Sequence, residues 1–186
     1  MRGSSCLRIV LLSTVFIGLG TAKSTAQGPD QSEAHIAAMS RLWYLEGNWK
    51  GEGWTLNAEG KRETFRGGEI VQRKLGGVAL LVEGSFFGRP PGTDRDVPVH
   101  TTLGVISYDA QTKTYRFTTW LATGNSGVRE LAVTAEGWGW EIRTPQGVIR
   151  YSMTLTPTGE WLEVGSRSRD GTNWQLFFEM RLRKAA

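Results

Sequence analysis

The chain has 186 residues, with 22 lysines and arginines against 18 aspartates and glutamates, a formal net charge of +4 and a single cysteine. That length suits one domain with a core of its own, and one cysteine excludes an intrachain disulfide framework. The basic excess does not mark a nucleic-acid binder: Arg2, Arg8 and Lys23 fall before residue 27 with no acid beside them, and 22 less these three leaves 19 cations against 18 anions, a net +1.

The first predicted element is a leader. Arg2 and Arg8 precede an uncharged run of apolar and small residues from Ile9 to Ala22, too short to span a bilayer, which takes about 20 apolar residues. Ser24-Thr25-Ala26 then places small residues at −3 and −1 of a cleavage site, so residues 1–26 read as a signal peptide cut after Ala26, with Ala22 as the alternative. Cys6 precedes the apolar run and cannot become the lipidated first residue of a mature chain. The expected product is periplasmic or secreted, with no stable membrane anchor once the signal is cleaved; an uncleaved anchor is the competing reading.

Residues 27–33 read as a linker and 34–186 as a single domain. Asp30 and Glu33 form an acidic variant of a capping box. Ile36, Met39, Leu42 and Trp43 recur at helical spacing before Gly47, where a helix would stop. Helical periodicity then ends. Strands are expected over 48–56, 62–74, 78–87, 99–108, 114–122, 128–135, 139–144, 148–156, 160–168 and 173–183, separated by turn formers such as Leu75-Gly76-Gly77 and Asp170-Gly171. In the eighth, Ile149, Tyr151 and Met153 oppose Arg150, Ser152 and Thr154; in the last, Phe177 is the one apolar residue on the polar side. About ten strands joined by short loops imply an antiparallel meander, and closure removes its edges. The expected fold is therefore all-β, an antiparallel up-and-down β-barrel of about ten strands, closed at one end by a short N-terminal helix. A β-sandwich is the rival architecture.

The first strand carries Gly47-Asn48-Trp49-Lys50-Gly51-Glu52-Gly53. Gly47 and Gly51 allow close backbone approach, and Trp49 is a large apolar body with one N–H to satisfy, which points to helix and indole plugging one end. This motif, with Gly76-Gly77 before an apolar strand and the stretch from Leu103 to Phe117, resembles the calycin superfamily, in particular uncharacterised bacterial lipocalin-like domains and nitrobindin-like ten-stranded barrels. The resemblance implies a basic residue packed over Trp49, with Arg181 or Arg183 in that role. It also implies a cavity ligand. Nitrobindin-like proteins hold haem through a histidine late in the barrel, and here no histidine follows His100, so no cofactor is expected. Tyr151, Met153 and Met180 are the remaining side chains able to ligate iron.

Two distant histidines, His35 and His100, and no cysteine after Cys6 cannot build a zinc site. Asp94 and Asp96 fall short of a calcium shell, and no metal site is expected. No nucleophile elbow, phosphate loop or dinucleotide fingerprint is present, and no catalytic residue is assigned; Glu130 and Glu163 stay generic acid–base candidates. Trp120, Trp140, Tyr151 and His100 are the expected cavity wall, with Arg150 and Arg167 the partners of a ligand carboxylate if they point inward. The loop from Gly88 to Pro98 is either a flap over the mouth or a solvated hairpin loop. The expected function is non-enzymatic binding of a small hydrophobic or amphipathic molecule, with no nucleic acid partner. An enzyme in the same cavity, a haem-binding protein and a filled barrel acting through its surface are the alternatives, and oligomeric state is left open.

Overall fold

The computed structural model describes residues 29–90 and 92–185; the expected signal peptide lies outside them. A helix α1, Pro29–Met39, runs into a 3₁₀ turn, Ser40–Leu45. It begins inside the stretch expected as linker, with proline at the position where its missing N–H costs least. Ten strands follow: β1 Gly47–Leu56, β2 Arg62–Lys74, β3 Ala79–Gly88, β4 Val97–Asp109, β5 Thr114–Leu121, β6 Ser126–Val133, β7 Gly137–Thr144, β8 Gly147–Leu155, β9 Trp161–Ser168 and β10 Gln175–Lys184. Each pairs antiparallel with its sequence neighbours, and β1 pairs with β10 to close the barrel. The sandwich alternative falls with that closure.

The helix and 3₁₀ turn plug one end. Met39, Leu42, Leu45 and Trp49 are fully buried against Val71, Leu80, Ile106 and Leu182, each worth about 1.5–3 kcal/mol for a side chain of this size. Polar groups are satisfied there too. Trp49 Nε1 donates to the Leu45 carbonyl at 2.7 Å, Trp43 Nε1 to the Gly77 carbonyl at 3.3 Å, and the Tyr115 hydroxyl to the Ala38 carbonyl at 2.8 Å. Both motif glycines have steric reasons. Gly47 has φ +136°, and a Cβ on Gly51 would lie 2.0 Å from the Arg181 carbonyl oxygen of β10.

The cation over Trp49 differs from the expected one. Lys184 Nζ stands 5.2 Å from the ring centroid, because Lys184 is the register partner of Trp49. Arg181 and Arg183 alternate with the buried Met180 and Leu182 and so face outward, where Arg181 pairs with Glu179 at 3.0 Å and Arg183 with Glu160 at 2.6 Å.

Two irregularities shape the rest of the wall. The β9–β10 register shifts between Leu176 and Phe178, and this bulge turns both Phe177 and Phe178 to the interior, which accounts for the apolar residue that alternation alone left on the polar side. The β6–β7 ladder is short: Ala132 pairs with Gly139 and Val133 with Trp138, next to the connecting turn. Beyond those pairs the two strands diverge towards the open end.

Candidate functional site

Above the plug the barrel holds a cavity of about 480 Å³. Its wall is aromatic because the inward positions of successive strands carry rings that meet at close range. Trp140 stacks on Tyr151 with centroids 5.1 Å apart, Phe117 lies 5.3 Å from Trp140, and Phe65 stacks on Phe178 at 5.7 Å. This volume is in the range of small-molecule sites, which are mostly apolar with a few placed polar groups.

The placed polar groups here are acidic. Glu69 of β2 is in phase with Phe65 and Val71, and Glu163 of β9 is in phase with Trp161, so both point inward and line the cavity. Glu69 stands one inward position from Val71 of the plug, and Glu163 one from Trp161, whose ring meets Trp49 at 5.5 Å and also borders the cavity. Glu69 is only 8% exposed and its Oε2 has no hydrogen-bond partner. Glu163 is half-buried by area, crowded by protein and lines the cavity. Burial pushes both carboxyls up to about 8, and at Glu69 the nearby Glu163 charge adds to the rise. Tyr151 is pushed up to about 12 by burial and then by Glu163. The Nε1–H groups of Trp138 and Trp161, also on this wall, are buried without an acceptor.

The cations and the histidine are nearer the mouth. Arg129 of β6 is in phase with Leu131 and Val133, lines the cavity, and folds its guanidinium back beside Gly127 at the open end, Nη1 donating to the Val128 carbonyl at 2.8 Å. His100 sits at the rim, exposed on one side and crowded by protein on the other, and that one-sided desolvation lowers its pKa. Its ring lies 6.2 Å from Phe86.

Of the residues singled out in the sequence, Trp140, Tyr151 and His100 line the cavity, and Arg150, Arg167 and Trp120 do not. Arg150 alternates with Tyr151 and faces solvent, where it bonds Glu141 at 2.7 and 2.9 Å and covers the Trp174 ring at 3.9 Å. Arg167 is exposed and donates to Gln175 at 3.1 Å. Trp120 is 45% exposed on the outer face. Glu130 likewise faces outward, opposite Arg116. His35 packs edge-on to Tyr108 at 6.2 Å, half-buried, away from the cavity. The described residues of the loop after β3 do not line the cavity either. Asp96 pairs with Arg66 and, at 3.3 Å, with Arg89, which holds the loop against the outer face of β2 rather than over the mouth. Glu69 and Arg129 escaped the reading of the sequence, although their phase with apolar neighbours was a usable signal.

Of the side chains able to ligate iron, Tyr151 and Met180 of the late strands and His100 at the rim line the cavity, and Met153 does not; the raised pKa of Tyr151 disfavours a phenolate ligand, and the inner wall presents two carboxyls. Among the described residues, no three His, Cys, Asp or Glu side chains come together as a metal site.

No family model matches the chain, and no curated protein matches it. Solved structures do. Rv2717c from M. tuberculosis superposes with a TM-score of 0.54 at 15% identity, over 80% of this chain and 98% of that one. The S-type phycobiliprotein lyase CPES from Guillardia theta superposes with a TM-score of 0.55 at 7% identity, over 83% of this chain and 97% of that one. At these identities the likeness is one of fold: this chain has a calycin-like barrel.

Proposed function

We propose that this barrel is a lipocalin-like or nitrobindin-like calycin that holds a small hydrophobic or amphipathic molecule, and that it works outside the cytoplasm after loss of residues 1–26. The observation that carries the binding reading is the cavity of about 480 Å³, walled by aromatic rings and sealed at one end by a satisfied plug. A filled barrel would have spent those rings on packing. Likeness to a lyase for phycobiliproteins supports a ligand-holding role by fold analogy alone.

Native against denaturing mass spectrometry on protein purified from its own compartment tests both halves. A retained small molecule and an N-terminus at Gln27, or at Lys23 for the alternative cut, are the expected results. A cytoplasmic protein that keeps its leader overturns the export reading. A clean apo mass is followed by titration with an apolar fluorophore: Thr119→Trp, which fills the cavity, is expected to abolish uptake, and Trp120→Ala, on the outer face, to leave it unchanged. Equal uptake by both variants overturns the cavity reading.

One observation favours a second reading, acid–base chemistry in the same cavity: Glu69 and Glu163 are buried together with pKa values near 8, suited to proton transfer near neutral pH. Chemical change of the retained molecule during incubation, lost in Glu163→Gln while binding persists, is its signature; an unchanged molecule counts against it.

A further inference from the structure

We infer that the inner end of the cavity recognises a protonated nitrogen, so that the bound molecule enters with an alkyl- or arylammonium head group that seats between Glu69 and Glu163 while its apolar body lies along the aromatic wall. This deepens the small-molecule reading and rests on it.

The inference starts from what it costs to keep two carboxyls inside a barrel. An unpaired buried carboxylate is strongly unfavourable, and such groups normally meet a cation, a metal or several donors. Neither glutamate has an ion pair among the described residues, no cation offsets the effect of burial at either, and Glu69 Oε2 meets no donor. The space around Glu69 is kept open for its head group. Gly84, its register partner on β3, has no side chain, and a Cβ there would stand 2.9 Å from Glu69 Oε1 and 2.8 Å from the Thr102 methyl. Rings from Phe65, Phe86, Trp140 and Tyr151 share the wall with alkyl groups such as Val82 and Met180, and faces of Trp, Tyr and Phe attract cations. Acid groups without a counter-ion and a ring-lined cavity together make a socket with its positive partner missing.

Every charged or titratable group lining the cavity enters the account. Tyr151 on β8 stays neutral across the working range. Arg129 on β6 and His100 on β4 line the mouth end, with the Arg129 guanidinium turned away from the acid pair. The residues of β10 and β1 that line the cavity are Phe177, Phe178, Met180 and Thr55, which do not titrate; Lys184, farther along β10, lies over Trp49 at the plug. The cavity is therefore acidic within and basic at the entrance, which orients a head-first cation and disfavours an anion in the same pose. Below pH 8 the two carboxyls hold protons, and a bound cation displaces at least one of them.

Three probes of one shape test this by calorimetry: naphthalen-1-ylmethylammonium, the neutral naphthalen-1-ylmethanol and naphthalene-1-carboxylate. The amine is expected to bind about tenfold to a hundredfold more tightly than the alcohol, to tighten as pH rises from about 6 to about 8.5, and to release protons in paired buffers of different ionisation heat. Glu69→Gln and Glu163→Gln keep the shape of the protonated side chains. Each is expected to cut the affinity ratio of amine to alcohol, and the double variant to bring it near one. Equal binding of amine and alcohol, or preference for the carboxylate, overturns the cation inference while the cavity reading stands; the second result would assign recognition to Arg129 or to the indole N–H groups of Trp138 and Trp161. Failure of all three probes to bind overturns both.

Discussion

The two halves of the barrel are built from the same strands and solve opposite problems. At the plug, Trp49 is buried with its N–H bonded to Leu45 and its face covered by Lys184. In the cavity, Trp138 and Trp161 are equally buried, yet their N–H groups have no acceptor, and Glu69 has an oxygen without a donor. A buried polar group left unsatisfied costs about 1–3 kcal/mol. The plug end is thus finished for stability and the other end is left chemically incomplete, and this difference separates scaffold from site.

The comparison can be broken at its strongest point first. Trp49→Ala removes a fully packed side chain and is expected to cost about 3–5 kcal/mol in chemical denaturation; an unchanged midpoint would mean the helix does not seal the barrel. Next is pH. A glutamate in the unfolded chain ionises near its ordinary 4.5, whereas Glu69 and Glu163 hold their protons up to about 8. Between those values the folded state binds more protons, so the contribution of these two carboxyls is fullest below pH 4.5 and is lost as pH rises towards and through 8, opposite in sign to that of Asp96, Asp109, Glu141 and Asp170, whose lowered pKa values make their contribution fall away in acid. Melting followed from acid to alkaline pH checks this. Glu69→Gln is expected to reduce the slope, leaving the part due to Glu163, and a slope unchanged in the variant removes Glu69 from the account.

Lys184→Met is a smaller test, expected to cost about 0.5–1 kcal/mol by uncovering the Trp49 face; a larger loss in Arg181→Met than in Lys184→Met would return the covering role to the arginine. Arg150→Met should have the least effect, about 0.5 kcal/mol of stability from an exposed pair, with ligand affinity unchanged. A fall in affinity would show that the outer surface takes part in binding.

Strand count, closure and the plug were legible because they follow from local patterns: turn residues between alternating segments, and Gly47 and Trp49 after a helical repeat. The site was legible only through phase. Arg150 reads as outward from its alternation with Tyr151 and Met153, and Glu69 reads as inward from its phase with Phe65 and Val71, although Ile70 beside it, at 44% exposed, inverts the usual order of polarity. Phase marked Phe177 as an apolar residue out of place but did not identify the bulge, since a bulge is set by pairing with β9. The identity of the cation over Trp49 depends on the β1–β10 register, a contact between the ends of the barrel, and no local pattern fixes that.

The short β6–β7 ladder gives the closed barrel a mechanical asymmetry. With two register pairs at that seam and longer ladders elsewhere, including the β1–β10 junction on the far side, the closed wall is held least along one line, with β1–β6 on one side of it and β7–β10 on the other. Opening costs least where fewest backbone hydrogen bonds break, so amide exchange is expected to be fastest along residues 126–131 and 140–144 among the strands. Arg129 and Trp140 stand on the two lips. Exchange no faster there than along β1 would show that the seam holds as firmly as the rest of the wall.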